Sequence, residues 1–167
     1  MKITRVIASI LAWFNLVFWG FPVITSLLEM LVAPDGRKLV VVVMLAAIPL
    51  NSFAALQLHR SIRNPKITLN HQTPVGIRFV GFFALFIGVI MTACGLIVVQ
   101  NAKELLPAWK DQIMANLKDA PASYSTISFI QSVGGFMAVA GLLIVLNVVL
   151  NIRLLRWYYL VNRSDVS

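Results

Sequence analysis

Acidic residues are scarce in this sequence: Asp and Glu number 6 among 167, against 14 Lys and Arg. All charged residues together make up 12% of the chain, where a soluble domain carries about a quarter. A soluble surface of this size needs ionic groups, so the shortage argues against an ordinary soluble fold. Cysteine is reduced to Cys94, which rules out a disulfide framework within the chain and a dithiol redox centre. Cys94 falls inside an apolar run and is expected to be an inert packing residue. His59 and His71 are twelve residues apart, with no cysteine or acid beside them, and are read as solvated loop residues; that is not the spacing of a metal site.

Other chemistry is missing as well. A haem-binding membrane bundle needs histidines within its spans. Quinone-linked disulfide formation needs paired cysteines, and small multidrug exporters need a carboxylate at membrane depth. There is no glycine-rich phosphate loop and no carboxylate pair. No catalytic residue, cofactor or metal is therefore expected, and the chain is not expected to be an enzyme.

What the sequence has in excess is apolar length. Hydrophobic residues make up 59% of it. Four runs, at about 6–28, 39–58, 79–100 and 127–150, contain no charged residue. Each matches the roughly 20 residues that a helix needs to cross a bilayer core of about 30 Å. The expectation is an all-α, polytopic membrane protein: one transmembrane domain over 1–167, built as a four-transmembrane-helix bundle. The loop 59–78 and the segment 101–126 join the spans. Lys2 and Arg5 precede the first run as in a signal peptide. The run is too long for a typical leader, which predicts a retained signal-anchor helix.

The positive charges fall on one side. Lys2, Arg5, Arg60, Arg63, Lys66, Arg78, Arg153, Arg156 and Arg163 share a side with one acid, Asp165. The other side carries Arg37, Lys38, Lys103, Lys110 and Lys118, balanced by Glu29, Asp35, Glu104, Asp111 and Asp119. The positive-inside rule makes the first side cytoplasmic, with both termini inside, as in a bacterial inner membrane. The net charge of +8 is thus topogenic, and no nucleic acid is expected as a partner.

Several polar and small residues stand out. Gly81, Gly88 and Gly95 recur every seven residues in the third run, and Gly134 and Gly141 do so in the fourth, with Ala138 between. Small residues on one stripe let helices approach closely in lipid, and a seven-residue period implies left-handed crossing. The stripes are read as packing between runs three and four, or as a seam for another protein's helix. Asn51 and Asn147 are the intramembrane polar residues singled out, as helix-helix glue or the lining of a polar path. Pro49 frees a carbonyl that Ser52 or a neighbouring helix could satisfy.

Leu105, Trp109, Ile113 and Leu117 recur every four residues, with Pro107 suited to a first helical turn. They predict a short extracytoplasmic amphipathic helix that rests at the membrane interface, on the bundle or on a partner. A weak internal echo pairs Ile48, Leu50, Asn51, Leu58 and Arg60 with Ile144, Leu146, Asn147, Leu154 and Arg156 at one constant offset. The expected function is a non-catalytic accessory, assembly or scaffold subunit. Its partners would be membrane lipids and either other membrane subunits or a second copy. The alternatives are a small oligomeric channel or uncoupled transporter and, more weakly, a lipid-modifying enzyme.

The charge asymmetry makes a topological prediction. In a Cys94→Ala background, cysteines placed at Arg63 and Ser164 are expected to be labelled only from the cytoplasm. One placed at Asp111 is expected to be labelled only from outside. Labelling of position 111 from the cytoplasm would overturn the assignment.

Overall fold

The computed structural model describes residues 2–64, 67, 69, 70, 72–116, 124 and 126–164, the side chains of 2, 113–116 and 162–164 excepted. The described chain is all-helical, with α1 Lys2–Val32, α2 Gly36–Arg63, α3 Gln72–Gln100, α4 Ala102–Asn116 and α5 Ile127–Ser164. Four of these are long and apolar enough to cross a membrane: Ile3–Val32, Gly36–Arg63, Gln72–Gln100 and Ile127–Val161. The protein is a multi-pass membrane protein. His71 and Leu117 lie outside the described residues.

The helices overrun the spans read from hydropathy. Hydropathy marks only the part that sits in hydrocarbon, whereas backbone hydrogen bonding carries a helix on into polar sequence. Local caps set the true ends. The Asp35 side chain accepts from the Arg37 N–H at 2.9 Å and starts α2. Asn70 does the same for α3 through the Gln72 N–H at 3.0 Å. The Thr126 hydroxyl accepts from the Phe129 N–H at 3.2 Å to open α5. The Asn101 carbonyl accepts from the N–H groups of both Glu104 and Leu105. This starts α4 at Ala102, so Pro107 falls in its second turn and not in its first. The loop expected at 59–78 therefore shrinks, since α2 runs to Arg63 and α3 begins at Gln72.

Contacts divide the chain into two compact units: Met1–Ile87 with Leu143–Ser167, and Gly88–Leu142. All four long helices contribute to the first. Its apolar cluster joins Ala8 of α1, Leu58 of α2, Ile77 of α3, and Leu154 and Leu155 of α5. That level lies beside the start of α1 and α3 and the end of α2 and α5. It gathers Arg5, Arg60, Arg63, Arg78, Arg153 and Arg156 at one end of the unit, while Glu29 and Asp35 belong to the opposite ends of α1 and α2.

The second unit is organised by glycine. A Cβ added to Gly95 would collide with the backbone nitrogen of Ala138 and would lie 2.6 Å from the Gly134 carbonyl oxygen. One added to Gly134 would lie 2.8 Å from the Gly95 carbonyl oxygen. One added to Gly141 would lie 2.6 Å from both the Gly88 carbonyl oxygen and the Thr92 nitrogen. Within this unit α3 and α5 thus run antiparallel with their backbones in contact. Cys94, expected to be packed, is instead exposed on α3; its neighbour Gly95 holds the inner face, and one residue along a helix turns the side chain by about 100°.

The glycine contacts rank three substitutions. Gly95→Ala is expected to lower thermal stability in detergent by about 1–3 kcal/mol, the usual cost of overpacking. Gly81→Ala, where the obstacle at 3.0 Å is the Asn51 side-chain oxygen, should cost less. Gly135→Ala meets nothing within 4 Å and should be neutral or gain up to about 1 kcal/mol from helix propensity. Equal melting temperatures for the three would overturn the contact.

Candidate functional site

The first unit has a polar interior. Asn15, Asn51, Asn147 and Asn151 are all fully buried, at 0–1% exposure, together with Ser52. His59 is buried too. It was expected in a solvated loop, but α2 continues past it and turns it inward, seven residues and two turns from Ser52 on the same face.

Four of these side chains form a ladder between α2 and α5. The Ser52 hydroxyl donates to the Ile48 carbonyl at 2.9 Å. A carbonyl can only accept, and this sets the direction of the rest. The Asn147 amide donates to Ser52 Oγ at 3.2 Å. The Asn151 amide donates to Asn147 Oδ1 at 2.8 Å. Asn151 Oδ1 then accepts from His59 Nε2 at 3.2 Å, so that nitrogen carries the proton. Ser52 to His59 and Asn147 to Asn151 advance together, which makes α2 and α5 parallel at this contact.

Pro49 lacks the N–H that would bond the Leu45 carbonyl. Of the two partners expected for that carbonyl, Ser52 or a neighbouring helix, Ser52 is not the one; its hydroxyl donates to Ile48 and belongs to the ladder. Thr73 Oγ1 donates to Gln57 Oε1 at 2.7 Å, joining α3 to α2. Ser61 Oγ donates to the Ile67 carbonyl at 2.8 Å and lies 3.3 Å from the Tyr158 hydroxyl.

Of the residues singled out by sequence, Asn51 and Asn147 are both at 1% exposure but differ in partners. Asn147 is in the middle of the ladder. The Asn51 amide makes no hydrogen bond among the described residues and sits where a Cβ on Gly81 would lie 3.0 Å from its oxygen. Gly81 therefore makes room for a side chain in the first unit, while Gly88, Gly95, Gly134, Ala138 and Gly141 meet in the second. Asn15 of α1 likewise has an amide with no hydrogen bond among the described residues. The echo between α2 and α5 holds in burial: Ile48 and Ile144, Asn51 and Asn147, and Leu58 and Leu154 are buried, whereas Leu50, Leu146, Arg60 and Arg156 are exposed.

The α4 residues are only partly visible as a face. Leu105 is exposed. Trp109 donates its indole N–H to the Tyr124 carbonyl at 3.1 Å, and its ring lies 6.3 Å from that of Phe129 near the start of α5. Tyr124 stacks on Phe129 at 4.8 Å. Trp109 therefore rests on the chain's own aromatic residues. The side chain of Ile113 and all of Leu117 lie outside the described residues.

Sequence reasoning misread His59 and did not single out Asn151 or Asn15. The signal for Asn151 was its place four residues after Asn147, one turn along the same face. The ladder is built of amides, a hydroxyl and one imidazole, and a neutral amide neither takes nor gives a proton at ordinary pH. Asn147 and Asn151 therefore act by positioning their neighbours. No family model, curated protein or solved structure matches the chain.

A double-mutant cycle tests the ladder. His59→Ala and Asn151→Ala are expected to couple by about 0.5–2 kcal/mol in detergent unfolding, the range of interhelical hydrogen bonds in membranes. Strict additivity of the two changes would show that the bond is not formed.

Proposed function

We propose that this chain is a non-catalytic integral membrane protein that acts as a small accessory, assembly or scaffold subunit of a larger membrane complex. The observation that carries this reading is the ladder Ser52–Asn147–Asn151–His59, in which buried polar groups are engaged in holding helices together. The described acids, Glu29, Asp35, Glu104 and Asp111, are all exposed. The glycine stripe is taken up within the chain, so a partner would meet an outward face. Two outward faces are rich in aromatic residues: that of α1, with exposed Trp13, Phe14, Phe18 and Phe21, and that of α3, with exposed Phe79, Phe82, Phe83 and Phe86. Clustering of arginines at one end of the first unit supports an orientation with both termini in the cytoplasm, as in a bacterial inner membrane.

A second reading, a small oligomeric channel or uncoupled transporter, is favoured by the fully buried amides of Asn15 and Asn51, which are free to line a polar path. Mild solubilisation followed by mass spectrometry of what stays bound separates the two. A subunit is expected to bring a stoichiometric partner and to give no flux when reconstituted alone. Flux in liposomes by the pure protein, reduced by Asn51→Leu, would replace the first reading with the second.

A further inference from the structure

At the arginine-rich end of the first unit, Leu69 and Asn70, the first turns of α3 and the end of α5 line an open groove of about 330 Å³. Leu69, Asn70, Pro74, Val75, Arg78 and the paired Tyr158 and Tyr159 line it. We infer that this groove binds the phosphate-bearing headgroup of an anionic phospholipid. Arg78 supplies the charge, and its guanidinium carbon lies 5.9 Å from the centre of the Tyr159 ring, which backs it. The Asn70 side-chain oxygen is engaged by the Gln72 N–H, which leaves its amide N–H groups to donate. Tyr158 is positioned by Ser61 at 3.3 Å. A planar guanidinium flanked by neutral donors is the donor set that phosphate oxygens take.

Two observations favour a lipid over a free anion. The wall formed by Leu69, Pro74 and Val75 is apolar, and suits a glycerol backbone better than an ion. It also continues along α3: Val75, Phe79 and Phe82 follow one another at helical spacing and are 61%, 65% and 64% exposed. An acyl chain leaving the groove would lie along that stripe. The surrounding end of the unit carries Arg5, Arg60, Arg63, Arg153 and Arg156, and no acid among the described residues, so its field draws an anionic leaflet towards it.

The test uses the full chain in mild detergent, equilibrated with phosphatidylglycerol, phosphatidylcholine or inorganic phosphate, with bound lipid read by native mass spectrometry. Phosphatidylglycerol is expected to be retained over phosphatidylcholine. Arg78→Gln should weaken its retention about tenfold, as for loss of a charge-assisted hydrogen bond. Arg60→Gln, exposed at the same end but outside the groove, should leave retention unchanged. If Arg78→Gln melts early when lipid-free, Tyr159→Leu takes its place, with about a threefold loss expected from removing the ring behind the guanidinium. Equal losses from Arg60→Gln and Arg78→Gln would mean a diffuse basic surface and overturn the site. Displacement of the lipid by an equal concentration of inorganic phosphate would overturn the lipid assignment.

Discussion

Between helices that already sit in hydrocarbon, burying an apolar side chain gains little over leaving it against lipid, so close packing and hydrogen bonds must choose the arrangement. The ladder from His59 through Asn151 and Asn147 to Ser52 meets that requirement in the first unit. It commits α2 and α5 to one relative rotation and one depth, because a shift of either helix by a single residue would strand several buried amides. In the second unit the same constraint is met by glycine. Removing Cβ at 95, 134 and 141 brings backbone against backbone and maximises dispersion contacts.

The α2 and α5 helices solve a shared problem with different chemistry. Their matched positions have matching burial, yet Asn147 is bonded on both sides while Asn51 faces the space left by Gly81. One helix thus provides the connected strand of the ladder, and the other places an amide against a neighbour without a side chain. Nothing in composition distinguishes the two asparagines; their neighbours do.

Amides and hydroxyls set the depth and rotation of these helices without carrying a charge through the membrane. The excess positive charge is kept at one end, where six described arginines gather around the termini of four helices. There the positive groups can both fix orientation and meet anionic lipid, and Arg78, backed by Tyr159, is set into a groove.

The sequence alone determined the class of this protein. Uncharged runs of about twenty residues can satisfy their backbone in lipid only as helices, and the arginines that flank them sort the helix ends into two groups. The seven-residue glycine spacing likewise fixes a stripe on one helix face. What that stripe meets is a tertiary matter. Gly95 lies against Ala138 and Gly81 against Asn51, and periodicity does not distinguish them. His59 was misread because hydropathy ends where the apolar run ends, whereas hydrogen bonding carries α2 on to Arg63. Only the packed structure could show that Asn151 and His59 meet 92 residues apart in the chain, because a hydrogen bond between helices leaves no periodic trace in either one.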